Sequence, residues 1–312
     1  MGDELAARLA AVLGATEIAD LTRLSGGASR DTWRFEADGR SLILQRQRDG
    51  DERDMAVETA AVRAATATSV PAATIVAAST DTTDLGAAYM IVTSVAGETT
   101  PRKILRDAQY THARDVLLAQ LADALVRVHA IDPVTIPGLA SADQVQHYRQ
   151  VLDTLGEPHP TFELALRWLD AHRPPTANSV VVHGDFRLGN MIVDEQGLRA
   201  VLDWELVHLG DPFEDLGWMC VKAWRFGSGR PAAGVGTYDQ LFDAYEGAGG
   251  GRVDADAVRW WEVLGTMKWG IMCIMQANAH LSRTTRSHEL AAIGRRVCEN
   301  EHDLFLALEG RW

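Results

Sequence analysis

Three oxygen-bearing side chains stand at spacings that suit phosphate chemistry: Asp185, Asn190 five residues on, and Asp203 near the end of the run LRAVLDW. Magnesium takes hard oxygen ligands, typically one or two carboxylates plus substrate phosphates, so Asn190 and Asp203 form a candidate metal pair. Asp185 is then free to accept a proton from an attacking hydroxyl. The elements that must position these groups flank them. Val180, Val181 and Val182 are β-branched and suit a short buried strand. NMIVD and LRAVLDW are apolar runs separated by Glu195-Gln196-Gly197, a turn with the glycine that a three-residue loop wants. A hairpin there brings Asn190 at its start close to Asp203 at its end. Two plainer readings compete. In one, Asp185 and Asn190 only cap and turn a surface loop. In the other, His183 and Asp185 begin a phosphatase-type metal cluster, which lacks further histidines at ligand spacing. The joint occurrence of strand, loop, hairpin and second acidic turn favours phosphate chemistry.

An Asp, four spacers, an Asn and a hairpin ending in a second Asp is also the catalytic-loop and metal-loop order of kinases. HGDFRLGN resembles the HGDxxxxN loop of the aminoglycoside phosphotransferase and choline-kinase-like superfamily, and Leu202-Asp203-Trp204-Glu205 stands where protein kinases carry DFG. Together with DWELVHLGDPFEDLGW, the wording is most similar to the phosphotransferase group related to the kinase-like domain fused to some acyl-CoA dehydrogenases. The resemblance covers nearly the whole chain. It implies an α+β, two-lobed protein-kinase-like fold: a small antiparallel-sheet N-lobe with one main helix over residues 1–97, and a larger, mostly helical C-lobe over 98–312. It also implies ATP or GTP with Mg²⁺, a small-molecule hydroxyl acceptor, and a catalytic set of Asp185, Arg187 and His183. Arg187 stands where protein kinases place a lysine near the transferred phosphoryl group, whose charge a cation would stabilise. Asp215, opening the helix after Gly210-Asp211-Pro212, is expected to brace the loop by accepting its backbone hydrogen bonds.

The rest of the nucleotide site is expected in the N-lobe. Ser25, Gly26, Gly27, Ala28 and Ser29 lie between two strand-like runs, small enough for backbone N–H groups to approach a phosphate. In the resembling family a basic residue follows the apolar triplet of the next strand, but SLILQRQ has Gln45 there and Arg46 one place later. Successive strand side chains alternate faces, so Arg46 reaches the site only if a bulge re-aims it. The helix over 51–66 puts Met55, Glu58, Val62 and Ala65 on one inward stripe. An inward glutamate needs a partner, and Arg46 is the candidate. By resemblance, backbone groups of Thr93 and Val95 would meet the nucleotide base where the chain leaves the N-lobe.

Composition bounds the rest. Forty-three acidic against 30 basic residues give a net charge of −13, which argues against nucleic acid. The amino terminus MGDELAARLAAVLG is acidic where a signal peptide is basic, and the most apolar stretch, residues 265–279, carries Lys268 and Gln276. The expectation is a cytoplasmic protein with no membrane span, whose Cys220, Cys273 and Cys298 are buried thiols. Leu117, Leu121, Leu125 and Val128 mark a core helix, and Gly227 to Gly236 reads as a flexible lid. Trp224 and residues from Trp261 to Asn278 are candidate acceptor lining. The Arg102, Lys103 and Arg106 cluster leans toward an anionic acceptor, such as a hydroxyacyl-CoA ester, over an aminoglycoside. The rival from another class is a nucleotide-binding pseudokinase or scaffold, motivated by Gln45.

Overall fold

The computed structural model describes residues 2–24, 30–48, 53–175 and 179–311. The expectation placed on Ser25, Gly26, Gly27, Ala28 and Ser29 lies outside the described residues.

Helix α1 (Gly2–Leu13) leads into a five-stranded antiparallel sheet of β1 (Ile18–Leu24), β2 (Arg30–Ala37), β3 (Arg40–Gln47), β4 (Ile75–Ser79) and β5 (Tyr89–Thr93), in the order β1-β2-β3-β5-β4. The period of two sorts β3 between two cores. Leu42 and Leu44 pack with Leu5 and Leu9 of α1, whereas Ile43 joins the cluster that holds α2 (Met55–Ala67). Asp54 caps α2 by accepting from the Ala56 N–H, and the expected stripe of Met55, Glu58, Val62 and Ala65 is buried. The short α3 (Thr82–Leu85) links β4 to β5.

Beyond β5 the chain crosses to a helical lobe. Glu98 and Val193 exchange both backbone hydrogen bonds, at 2.8 and 3.0 Å. Gly97 allows the approach: its φ is +148°, and a Cβ there would stand 2.5 Å from Ile192 Cγ2. The crossing strand is thereby stitched to the hairpin of β7 (Met191–Asp194) and β8 (Gly197–Val201), while β6 (Val180–Val182) pairs with β9 (His208–Gly210). The helices are α4 (Pro101–Arg106), α5 (Thr111–His129), α6 (Gln144–Leu155), α7 (Pro160–Ala171), α8 (Phe213–Cys220), α9 (Tyr238–Gly247), α10 (Ala255–Leu281), α11 (His288–Gly294) and α12 (Val297–Leu308). Leu117, Leu121, Leu125 and Val128 bury α5 at the centre of the lobe, as their spacing predicts. No described helix is long and apolar enough to cross a membrane.

Two expectations are corrected. Residues 227–236 are not a loose lid: Ala232 and Ala233 are fully buried and a backbone bridge joins Ala232 to Gly236. The small side chains there serve close packing rather than freedom. Cys220 and Cys273 are buried thiols, but Cys298 is exposed.

Helix α8 presses on α10 at Gly217, where a Cβ would lie 2.6 Å from Trp261 Cβ and 2.8 Å from the Glu262 backbone nitrogen. Gly217→Ala must therefore push two helices apart. Urea denaturation should show a loss of about 1–3 kcal/mol, the usual cost of overpacking. Wild-type stability would mean that the two helices part without cost.

Candidate active site

The loop after β6 is fixed by one buried carboxylate. Asp215, in the first turn of α8, has no exposure. Its two oxygens accept the backbone N–H groups of His183 and Gly184, each at 2.9 Å. His129 Nε2 lies 3.2 Å from one of those oxygens, and its Nδ1 lies 2.7 Å from the Tyr245 hydroxyl. Burial works to raise the Asp215 pKa, but the hydrogen bond and charge of His129, with the His183 backbone N–H, outweigh it and hold the carboxyl below 3.8.

His183 locks the other side of the loop. Its Nδ1 accepts the Asp185 N–H at 3.2 Å and its Nε2 donates to the Leu202 carbonyl at 3.0 Å, so the ring is a neutral imidazole with both nitrogens used. It is fully buried, and burial pushes its pKa down. His183 was expected among the catalytic residues. The structure makes it a positioning residue, which ties the loop to the turn carrying Asp203. Gly184 has φ +80°, and a Cβ would meet the Leu206 carbonyl at 2.5 Å. Lys268, buried on α10, donates to the Gly184 carbonyl at 3.2 Å.

This frame presents Asp185 to the cleft. One carboxylate oxygen accepts from Trp218 Nε1 at 2.7 Å and Arg187 Nε at 2.9 Å; the other accepts from Asn190 Nδ2 at 2.6 Å. The second oxygen keeps lone-pair capacity for a further donor. The Asn190 amide nitrogen is spent on Asp185, which leaves its carbonyl oxygen as the available ligand atom. The Leu202 N–H donates to the Asn190 backbone carbonyl at 2.8 Å, and this bond closes the hairpin and brings Asp203 alongside. Asp203 is in the left-handed region, at φ 60° and ψ 63°. Neighbouring protein that displaces water, and then the charges of Glu205 and Asp185, push its carboxyl up to about 6, although the residue as a whole is exposed. Asp185, Asn190, Asp203 and Arg187 thus come together as expected. The Arg187 guanidinium also lies 4.5 Å above the Trp224 ring.

The N-lobe side departs from expectation. Neither pairing of β3 contains a bulge, so Gln45 shares the α2 face with Ile43 while Arg46 points to the opposite face. Arg46 lies 3.6 Å from Asp31 and donates to the Leu85 carbonyl at 3.1 Å. It therefore partners neither Glu58 nor a ligand in the cleft. The ion pair of Glu58 is with Arg30, the first residue of β2. At the exit from the sheet, the Thr93 N–H is spent on the Thr74 carbonyl at 2.9 Å, so of its two backbone groups Thr93 offers a base only the carbonyl. Val95 follows on the chain between β5 and α4. Sequence reasoning missed Arg30 and Trp218, and placed Lys268 only within the candidate acceptor lining rather than on the loop. Trp218 had a signal, since it stands three residues after Asp215 and so on the same face of the helix; the other two depend on tertiary register.

Asp215→Asn tests the frame. The amide cannot accept both N–H groups without turning its own donors into that buried site, so the loss should be about 3–5 kcal/mol at pH 7 by chemical denaturation. Because the native carboxyl is held low, its contribution is complete above the unfolded value of 3.8 and disappears as pH falls through the native one. The gap between variant and wild type should accordingly narrow on acidification. A gap that widens in acid would overturn the assignment.

Residues 20–260 match the sequence model of the phosphotransferase enzyme family. Mouse acyl-CoA dehydrogenase family member 10 is 26% identical over 224 residues, a stretch that is 65% of this chain and 20% of that protein. The chain thus spans about a fifth of that relative's length. An Escherichia coli aminoglycoside 3'-phosphotransferase is 26% identical over 148 residues, 43% of this chain and 53% of its own. Among solved structures, a Ralstonia eutropha protein provisionally named an aminoglycoside phosphotransferase superposes with a TM-score of 0.77 at 20% identity, covering 99% of this chain and 98% of the other. Spectinomycin phosphotransferase in complex with ADP and spectinomycin gives 0.70 at 12% identity, covering 98% of each chain. The resemblance carried by HGDFRLGN is borne out, as is the kinase-like fold.

Proposed function

The chain belongs to the phosphotransferase enzyme family, and from that premise we propose that it moves the terminal phosphate of ATP or GTP to a hydroxyl of a small molecule. The observation that carries this reading is the arrangement of Asp185, held by Trp218, Arg187 and Asn190 with one oxygen still able to accept, beside Asp203. Asp185 accepts the acceptor hydroxyl's proton and orients its oxygen for in-line attack. The donors on Asp185 fix its rotamer, so the hydroxyl meets a base already in place. Arg187 stands beside the attacked group with a delocalised charge that can stabilise the oxygens of the transferred phosphoryl.

Asn190 and Asp203 would hold magnesium. The donor set fits that ion: a carboxylate and a carboxamide oxygen, in a cleft where Glu205 and Asp185 add negative charge. Bound there, magnesium would offset charge on the nucleotide phosphates. The similar structure crystallised with ADP supports nucleotide binding by this fold.

The acceptor is small and anionic. Beside the catalytic loop, Phe226 lies 3.8 Å from the position a Cβ of Gly189 would take, and it borders a cavity of about 360 Å³ lined by Arg106, Arg114, Arg230 and the single acid Asp115. Such a lining repels a polycationic aminoglycoside and suits a carboxylate, phosphate or hydroxyacyl-CoA-like acceptor. A larger cavity of about 690 Å³, lined by residues between 152 and 167, contains none of the site residues.

A thermal-shift panel of ATP and GTP, with and without Mg²⁺, tests the nucleotide site, and assays with hydroxylated acceptors test transfer. Asp185→Ala should cut kcat about 100-fold or more while sparing nucleotide binding. Asp203→Ala should weaken Mg²⁺-dependent nucleotide binding itself. Identical phenotypes would mean the two roles are misassigned, and stabilisation by nucleotide without transfer to any acceptor would favour a scaffold.

A further inference from the structure

We propose that Arg30, at the start of β2, is the cation that holds the nucleotide phosphates, in the place that Gln45 leaves without charge on β3; the inference rests on the nucleotide-dependent reading above. Phosphate oxygens bound under a strand need a neutralising donor, and glutamine carries no charge. Strand geometry names the substitute. Arg30 pairs directly with Gln47, and directly opposed residues of neighbouring strands share a face. Gln47 and Gln45 are two apart and share a face as well. Arg30 is therefore on the face of the sheet that Gln45 occupies, while the nearer arginine, Arg46, is turned away by the same parity.

The surroundings of Arg30 fit a ligand-binding cation better than a finished structural pair. Its side chain is 6% exposed and its ion-pair partner is Glu58 of α2. One terminal nitrogen is 2.9 Å from Met55 Sδ, a weak acceptor. Nε has no hydrogen-bond partner among the described residues. A guanidinium carries five N–H donors, so one carboxylate and one thioether leave this buried group short of acceptors among the described residues. Phosphate oxygens would supply them. In sequence Arg30 follows directly on residues 25–29, the stretch expected to approach the same phosphates. Glu58 then orients the cation, as the helix carboxylate orients a β3 lysine in protein kinases.

The test compares Mg²⁺·ATP with adenosine, which lacks the phosphates, by calorimetric titration of the purified protein. Arg30→Met with Glu58→Gln removes both buried charges together, so that no unpaired ion is left to unfold the lobe. With the fold confirmed by circular dichroism, the Kd for Mg²⁺·ATP should rise by about tenfold or more, the worth of one charge-assisted hydrogen bond, while adenosine binds as before. Arg30→Met with Gln45→Lys, keeping Glu58, should recover most of the lost affinity, because the new cation enters from the same face. Unchanged Mg²⁺·ATP affinity in the first variant, or equal losses for ATP and adenosine, would overturn the assignment of Arg30. A folded lysine variant that recovers nothing would overturn the shared face on which it depends. Wild-type protein that binds adenosine and ATP equally, or neither, would instead remove the nucleotide reading itself.

Discussion

The site depends on a carboxylate that has been taken out of water. Burying Asp215 is costly unless its charge is met by donors on every side, and here those donors are the His183 and Gly184 backbone N–H groups and the His129 ring. The consequence is geometric. The loop can be satisfied only when its backbone lies against the first turn of α8, and the next turn of that helix carries Trp218, which donates to Asp185. One helix thus fixes both the main chain of the loop and the rotamer of the side chain it presents. Helix α10 reinforces the arrangement from below, through contact at Gly217 and through Lys268 on the Gly184 carbonyl. The opposite side is closed by His183, which joins the loop to Leu202 and so to the residue before Asp203.

What could be read from the sequence and what could not divide along a physical line. The loop, hairpin and bracing helix are local in sequence, and their apolar runs, turn glycine and helix start all agree, so Asp185, Asn190, Asp203 and Asp215 could be placed from residue types and spacing. The inward stripe of α2 was equally legible, because a period near 3.6 and the burial of Met55, Val62 and Ala65 leave Glu58 no other face. The partner of Glu58 was not. It depends on which residue of a neighbouring strand lies opposite which, and register is a tertiary property that a single strand does not encode. Arg46 stood beside the expected position on β3 but was wrong in parity; Arg30 was farther along the chain and right. His183 failed for a related reason. Residue type made it a candidate for chemistry, but only the fold shows that both nitrogens are used inside the protein. Residues 227–236 read as mobile from glycine and alanine content, yet the same small side chains also permit close packing, and the fold uses them for that.

Charge across the cleft is what joins the two lobes into one site. The loop and hairpin side carries Asp185, Asp203 and Glu205, and the carboxyl of Asp203 is raised first by loss of water around it and then by the charges of Glu205 and Asp185. The sheet side answers with cations from two elements, Arg30 on β2 and Arg53 just before α2. Arg53 reaches Glu205 at 2.6 Å, two residues beyond Asp203. Arg30 is held by Glu58, whose own carboxyl is pushed up to about 7 by burial, against the pull of Arg30, with Glu205 and Asp203 adding to the rise. The carboxylates therefore repel one another, and the cations are matched to Glu58, Glu205 and Asp185, which leaves Asp203 as the carboxylate without an ion pair among the described residues. On the proposed reading, an added positive charge at the Asp203 end and phosphate at the Arg30 end would each relieve the imbalance nearest to it. A helix that moved away from the cleft would take Arg53 from Glu205 and Glu58 from Arg30 at once. The position of α2 and the charge balance around Asp203 are on this account linked through Arg53 and Glu58.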